Sequence, residues 1–108
     1  MSRGEFVTIA MQGDFGKPRP ALVIQSDKFN EHATVTVLLV SSKLVEAPLL
    51  RVIIRPSDAN GFQKPSQVMV DKAMTVKRDK IGTAFGVASD SELLEVGRCL
   101  AVFLGVAH

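Results

Sequence analysis

Short runs of apolar and β-branched residues, separated by polar or glycine-rich breaks, make up most of the chain before residue 89. Runs of roughly four to eight such residues favour β-strands. The run over 21–25 is apolar at consecutive positions, which is typical of a strand covered on both faces. The pattern predicts strands at 6–11, 21–25, 33–40, 50–55 and 67–71, with a short sixth strand at 74–76.

The last part of the chain has a different period. Ser89 and Glu92 stand in the order of a capping box, a signature of a helix N-terminus. Apolar residues then recur every three or four positions up to Leu104, and Gly105 follows as a natural stop. The pattern predicts an amphipathic helix over 90–104, so the fold class is α+β, mainly β: a small barrel with a C-terminal α-helix.

Composition narrows the class of protein. The 108 residues correspond to one domain, and 13 basic against 11 acidic residues give a net charge of +2, too small to establish a polyanion partner. Cys99 is the only cysteine, so an intrachain disulfide and a multi-cysteine metal site are excluded. With no long apolar run and no apolar N-terminal block, we expect a cytoplasmic protein without a membrane partner. The hydrophobic content of 46% fits either a well-filled core or a second buried surface, such as a homodimer interface.

Arg19 lies between two prolines at the start of an apolar strand. A residue before proline is held extended and each proline fixes its own φ, so the arginine stands on a stiff backbone. Its guanidinium could clamp a phosphate. An ordinary solvated arginine beside a strand-opening proline is the alternative.

Other polar residues stand at strand ends or along one strand face. Ser41 and Ser42 close the third predicted strand, and Gln67 and Asp71 share one face of the fifth. Strand ends converge at the rim of a barrel, where an arginine, a hydroxyl and a carboxylate would suit cleavage of RNA by its own 2′-hydroxyl. That reaction needs charge stabilisation and positioning but no metal. Serines at strand ends also serve turns, and Asp71 beside Lys72 also fits a surface ion pair, so several functions stay open.

The order of four segments resembles the MazF/PemK family of bacterial toxins. The segments are Arg-Gly-Glu-Phe-Val at 3–7, the Arg-Pro-x-Leu-Val region within 13–26, the strand ending in serine at 37–42, and the Ser-Gln-Val region at 65–72. The resemblance runs in order over nearly the whole chain and ends in the same helix. Serine stands where many members have threonine, and the segment between the first two strands is short.

The resemblance implies an SH3-like barrel working as a homodimer, without a cofactor or metal. It implies a toxin of a type II toxin–antitoxin system, inhibited by a cognate antitoxin. The implied activity is sequence-specific, metal-independent cleavage of single-stranded RNA to 2′,3′-cyclic phosphate and 5′-hydroxyl ends.

The same resemblance places the family's functional residues on this chain. The key arginine falls on Arg19, the catalytic hydroxyl on Ser41 with Ser42 as the neighbouring alternative, and the strand-five acidic residue on Asp71. Without Tyr or Trp, a phenylalanine is the best candidate for stacking on a base. The residues expected to contact RNA are Lys17, Phe15, Ser42 and Gln67.

Two other functions fit the same barrel. A gyrase-poisoning toxin of this fold typically ends in Trp-Gly-Ile, and this chain has no tryptophan. A non-catalytic SH3-like module that binds RNA or protein is the third possibility. Replacing Arg19 by alanine separates catalysis from mere binding.

Overall fold

Six antiparallel strands form one sheet in a computed structural model that describes residues 1–11 and 17–108. The strands lie in the order β4-β5-β3-β2-β1-β6, and one helix follows them. The elements are β1 (Glu5–Ala10), β2 (Pro18–Val23), β3 (Thr34–Ser41), β4 (Arg51–Ile54), β5 (Ser66–Lys77), β6 (Ile81–Val87) and α1 (Asp90–Phe103).

The central strands are buried on both faces, as the unbroken apolar run in β2 predicted. Ala21, Leu22 and Val23 are all buried, but they enter two different apolar clusters. Leu22 packs in a cluster with Phe6 and residues of α1, while Ala21 and Val23 pack on the opposite face. Burial of this kind on both faces is the expected result when a sheet curls over itself and a helix covers its outside.

Strand β5 is longer than its sequence pattern indicated. Its first part pairs with β4 and with the end of β3, and its second part pairs with the rest of β3. The register of β3 against β5 shifts between Leu38 and Val40, which marks an irregularity opposite Asp71 and Lys72. The prediction of a separate strand at 74–76 is therefore wrong, because the polar residues that broke the apolar pattern lie in this irregular stretch of one continuous strand.

Strand β6 was not predicted, because its two glycines and exposed side chains hide any alternation. Close approach of backbone explains the second glycine, because a Cβ on Gly86 would lie 2.1 Å from the carbonyl oxygen of Asn60. Next to it, the Val87 N–H donates to the Ala59 carbonyl at 2.9 Å. The loop after edge strand β4 thus reaches edge strand β6, and this contact brings the two edges of the sheet together. The mainly β barrel with a C-terminal helix is confirmed.

Helix α1 begins with the predicted capping box. The Ser89 hydroxyl accepts from the Glu92 N–H at 3.1 Å, and the Glu92 carboxylate accepts from the Ser89 N–H at 2.9 Å. Val96 and Cys99 are buried in the cluster that also contains residues of β4 and β5. In the part of the chain that the structure describes, no helix has the length and hydropathy needed to cross a membrane.

Candidate active site

A groove of about 300 Å³ opens where the starts and ends of several strands meet. It brings together the start of β2, the end of β3 and the loop between β4 and β5. Its described lining residues are Arg19, Pro20, Val40, Ser41, Ser42, Phe62, Gln63, Lys64 and Ser66. Arg19 and both candidate serines, which lie far apart in the sequence, therefore share one groove.

Arg19 is exposed on a stretch of β2 that has only one partner strand. Strand β2 pairs with β1 from Pro18 to Leu22, but its pairing with β3 covers only Ala21 to Val23. Prolines lack an N–H and are tolerated where one side of a strand is unpaired, which explains how β2 begins at Pro18, earlier than predicted. Arg19 lines the groove on a backbone fixed by both prolines.

Ser41 ends β3 and is held more firmly than its neighbour. Its Oγ accepts a hydrogen bond from the Lys43 N–H at 3.0 Å, and the residue is half-buried, whereas Ser42 is exposed. A serine hydroxyl that accepts from the backbone keeps its own proton for donation. The geometry therefore favours Ser41 over Ser42 as a fixed donor toward a ligand in the groove.

Asp71 lies elsewhere and forms an ion pair. Its Oδ1 accepts from Arg51 Nη1 at 2.7 Å, and Lys72 Nζ is 4.0 Å from its Oδ2. Burial by itself raises the pKa of Asp71, but the Arg51 hydrogen bond, a backbone hydrogen bond and the charges of Arg51 and Lys72 bring that pKa below its ordinary value. The carboxylate is not among the described residues that line the groove, so the structure does not bring it to Arg19 and Ser41.

The residues predicted to contact RNA are separated by the fold. Ser42 lines the groove, and Lys17 is exposed just before β2 but is not among the described lining residues. Gln67 is only 5% exposed, and its side-chain amide bonds to the backbone of Val45. Phe15 lies outside the described residues. Direct contact of these residues with RNA stays a prediction.

One wall of the groove, formed by Phe62, Gln63 and Lys64 of the β4–β5 loop, was not predicted from the sequence. Loop residues have no hydrophobic period that would indicate their positions in the fold. The positive charge of Lys64, just before Pro65, is the one feature of this segment that could have suggested a binding role. The Phe62 ring is held by edge-to-face contacts with Phe6 at 4.9 Å and Phe85 at 5.3 Å between ring centres. This wall therefore combines a rigid aromatic ring with a cation.

In the described part of the chain, no group of three or more His, Cys, Asp or Glu side chains is placed to hold a metal ion. What the described lining offers is one guanidinium, one ammonium, hydroxyls and an amide, a set suited to binding a phosphate and stabilising negative charge on it.

Comparison with known proteins gives consistent results. The sequence profile of the PemK-like, MazF-like toxins of type II toxin–antitoxin systems matches residues 2–104. The chain is 41% identical over 108 residues to the "Probable endoribonuclease MazF" of Mycolicibacterium smegmatis, covering 99% of both chains.

Solved structures share the fold. A mycobacterial endoribonuclease in complex with its cognate antitoxin has a TM-score of 0.83 at 22% identity and covers 100% of this chain and 98% of its own. A MazE–MazF structure from Deinococcus radiodurans has a TM-score of 0.79 at 24% identity, with coverages of 97% and 95%. These structures confirm the predicted fold, whereas the family profile and the M. smegmatis relative confirm the predictions of a toxin and of an endoribonuclease. The chain belongs to the family of PemK-like, MazF-like toxins of type II toxin–antitoxin systems.

Proposed function

We propose that the chain cleaves single-stranded RNA without a metal ion, in the groove that Arg19 and Ser41 share. One observation carries the proposal. An arginine on a backbone fixed by two prolines and a serine hydroxyl that accepts from a backbone N–H, from opposite ends of neighbouring strands, line the same open groove. The family membership and the M. smegmatis relative support the choice of RNA as the substrate.

In the proposed reaction the 2′-hydroxyl of the RNA attacks the adjacent phosphorus. The new O2′–P bond forms as the P–O5′ bond breaks, the 2′-hydroxyl loses its proton, and the leaving 5′-oxygen gains one. The products are a 2′,3′-cyclic phosphate and a 5′-hydroxyl, and no water is consumed. The pentacoordinate phosphorus carries more negative charge than the starting diester, so donors aimed at its oxygens lower the barrier.

Arg19 and Ser41 both stabilise the negative charge that develops in this step. The guanidinium of Arg19 neutralises the growing charge on the non-bridging oxygens, where a fork of N–H donors fits best. The Ser41 hydroxyl donates to a phosphate oxygen, because its Oγ already accepts from the Lys43 N–H. Each such donor is worth roughly a hundredfold to a thousandfold in rate.

The rest of the lining suits the neighbouring nucleotides. Lys64 supplies a second cation for the backbone, and the Gln63 amide can both donate to and accept from a base edge. A groove on the rim of a barrel reaches bases only when they are unpaired, which favours single-stranded RNA as the substrate.

The proposed partners follow from other surfaces. Exposed apolar side chains cluster on α1 and the segment beside it, where Leu94, Val102 and Leu49 line a second groove of about 610 Å³. We propose that a second copy of the chain covers this face. A cognate antitoxin would inhibit the dimer in the cytoplasm, as the toxin–antitoxin class of the family suggests.

The test is incubation of the purified protein with a long single-stranded RNA in excess EDTA, with both new ends of each cut identified. The proposal predicts discrete cuts with 5′-hydroxyl and 2′,3′-cyclic phosphate ends. A 2′-deoxy substitution at the nucleotide before the cut should abolish cleavage at that site. Cuts that persist at the 2′-deoxy site would overturn the mechanism, and no cuts in varied RNA would redirect the search to gyrase or to simple binding.

A further inference from the structure

We infer that Gln67 is a positioning residue for the Ser41 hydroxyl and acts through the loop that follows β3. This inference rests on the proposed function of Ser41. Gln67 is one of the few buried polar side chains of the described chain, and both ends of its amide are bonded to one residue. Its Nε2 donates to the Val45 carbonyl at 2.9 Å, and its Oε1 accepts from the Val45 N–H at 3.0 Å.

The loop held by this hydrogen-bond pair has little else to fix it. Residues 42–46 are all exposed, so burial of their side chains does not anchor them. Gln67 lies directly opposite Ser41 in the β3–β5 register. The pair of bonds therefore ties the loop back to the sheet beside the last residue of β3.

The loop in turn orients Ser41. The Lys43 N–H, two residues before Val45, donates to Ser41 Oγ at 3.0 Å. With Val45 fixed, this N–H holds the hydroxyl in one staggered rotamer of three. Without Gln67 the loop is released, the Lys43 bond is lost, and the hydroxyl spends much of its time in rotamers that do not face the phosphate.

Holding Val45 by both its N–H and its carbonyl requires a glutamine at this position. An amide offers a donor to the Val45 carbonyl and an acceptor to the Val45 N–H at the same time. Glutamate would retain only the acceptor, and its charge would repel the carbonyl oxygen. Methionine has a similar length and shape but offers neither bond.

The experiment measures cleavage of a short RNA by wild type, Gln67→Met and Gln67→Glu under saturating and subsaturating substrate. For Gln67→Met we expect kcat to fall about tenfold with KM changed less than twofold, because RNA binding by Arg19 and Lys64 is untouched. Gln67→Glu should lose at least as much, because it places a buried charge against the Val45 carbonyl. In a Ser41→Ala background, measured at high enzyme concentration, Gln67→Met should cost nothing further.

Gln25→Met is the matched control. The Gln25 amide also ties a loop, donating to the carbonyls of Phe29 and Thr34 at 3.1 and 3.2 Å and accepting from the Thr36 N–H at 3.0 Å. This loop does not line the groove. Gln25→Met, which removes these three hydrogen bonds, should lower the melting temperature without lowering kcat. The comparison therefore separates general destabilisation from positioning of Ser41.

Hydrogen exchange gives a second readout that needs no activity. In Gln67→Met, or in Gln67→Glu if the first variant does not fold, the Lys43 and Val45 amides should exchange at least tenfold faster than in wild type. An unchanged kcat, an equal loss of rate in the Ser41→Ala background, or unchanged exchange would overturn the inference. If wild type cleaves no RNA, the proposed function fails, and the exchange rates still decide whether Gln67 holds the loop.

Discussion

Replacing Asp71 by asparagine asks whether this carboxylate serves the fold or the reaction. Its partner Arg51 also donates to the Leu50 carbonyl at 3.1 Å, at the point where the chain enters β4. The Val70 N–H donates to that same carbonyl at 2.9 Å. The ion pair therefore secures the junction between the loop after β3 and strand β4.

The free energy of unfolding lost in Asp71→Asn can be estimated from the geometry and exposure of the ion pair. The Nη1–Oδ1 distance is 2.7 Å, and the side chains of Arg51 and Asp71 are 16% and 23% exposed. Exposed pairs contribute up to about 1 kcal/mol, and breaking a fully buried pair costs roughly 3–5 kcal/mol, so a loss of about 2 kcal/mol is expected here. For a chain of this length that loss lowers the melting temperature by about 9 °C.

The sign of the pH dependence follows from the lowered pKa of Asp71. A carboxyl group whose folded pKa lies below its unfolded value of 3.8 stabilises the fold fully above that value. The stabilisation is lost as the pH falls through the lower, folded pKa. The difference in stability between wild type and Asp71→Asn should therefore be largest near pH 7 and shrink toward pH 3.

The assay is urea unfolding of wild type, Asp71→Asn, Arg51→Met and the double variant at both pH values. We expect a coupling free energy of about 1–2 kcal/mol at pH 7, since each single variant removes the same pair. A coupling below about 0.3 kcal/mol would refute the structural role. If Asp71→Asn folds but cleaves RNA more than about a hundredfold more slowly than wild type, Asp71 takes part in the reaction after all.

Four further substitutions test the closure of the barrel, the roles of the two serines and the homodimer. Gly86→Ala places a Cβ against the Asn60 carbonyl and should cost about 3 kcal/mol or more in urea unfolding, whereas an unchanged midpoint would contradict the described closure of the barrel. Ser41→Ala should lower the single-turnover cleavage rate by about a hundredfold or more and Ser42→Ala by less than about threefold; the opposite order would exchange their roles. Leu94→Glu changes a side chain that is 67% exposed, and light scattering should show it shifting a dimer to monomer with an unchanged circular dichroism spectrum. A wild type that is monomeric at high concentration would remove the homodimer from the account.

Much of the fold follows from patterns that act locally. The apolar run of β2 and the capping box at Ser89 each span only a few neighbouring residues. Hydrophobic periodicity and helix-capping rules were therefore enough to predict both. Strand β6 depends on what lies opposite it. Its Gly86 is needed for a close approach to Asn60, and no pattern within 81–87 contains that information.

The same distinction applies to the site. The extended backbone of Arg19 was predictable, because the two flanking prolines restrict it. Gln67 and Asp71 lie on one face of one strand, so their side chains were expected near the same site. In the structure the Gln67 amide bonds to Val45, whereas the Asp71 carboxylate pairs with Arg51. A strand's alternation tells which residues share a face, but the partner of each polar group is decided by loops and neighbouring strands.

The proposed reaction depends above all on Arg19 stabilising the charge on the phosphorus, and a comparison of two arginine variants tests this role. Single-turnover cleavage of one RNA, in EDTA, is measured for wild type, Arg19→Ala and Arg55→Ala, with the melting temperature of each. Arg55 is an exposed arginine that does not line the groove, so its variant matches the change in net charge. We expect the cleavage rate to fall at least about a thousandfold for Arg19→Ala with the fold retained, and less than about threefold for Arg55→Ala. Cleavage by folded Arg19→Ala at a rate near that of Arg55→Ala would contradict this role of Arg19.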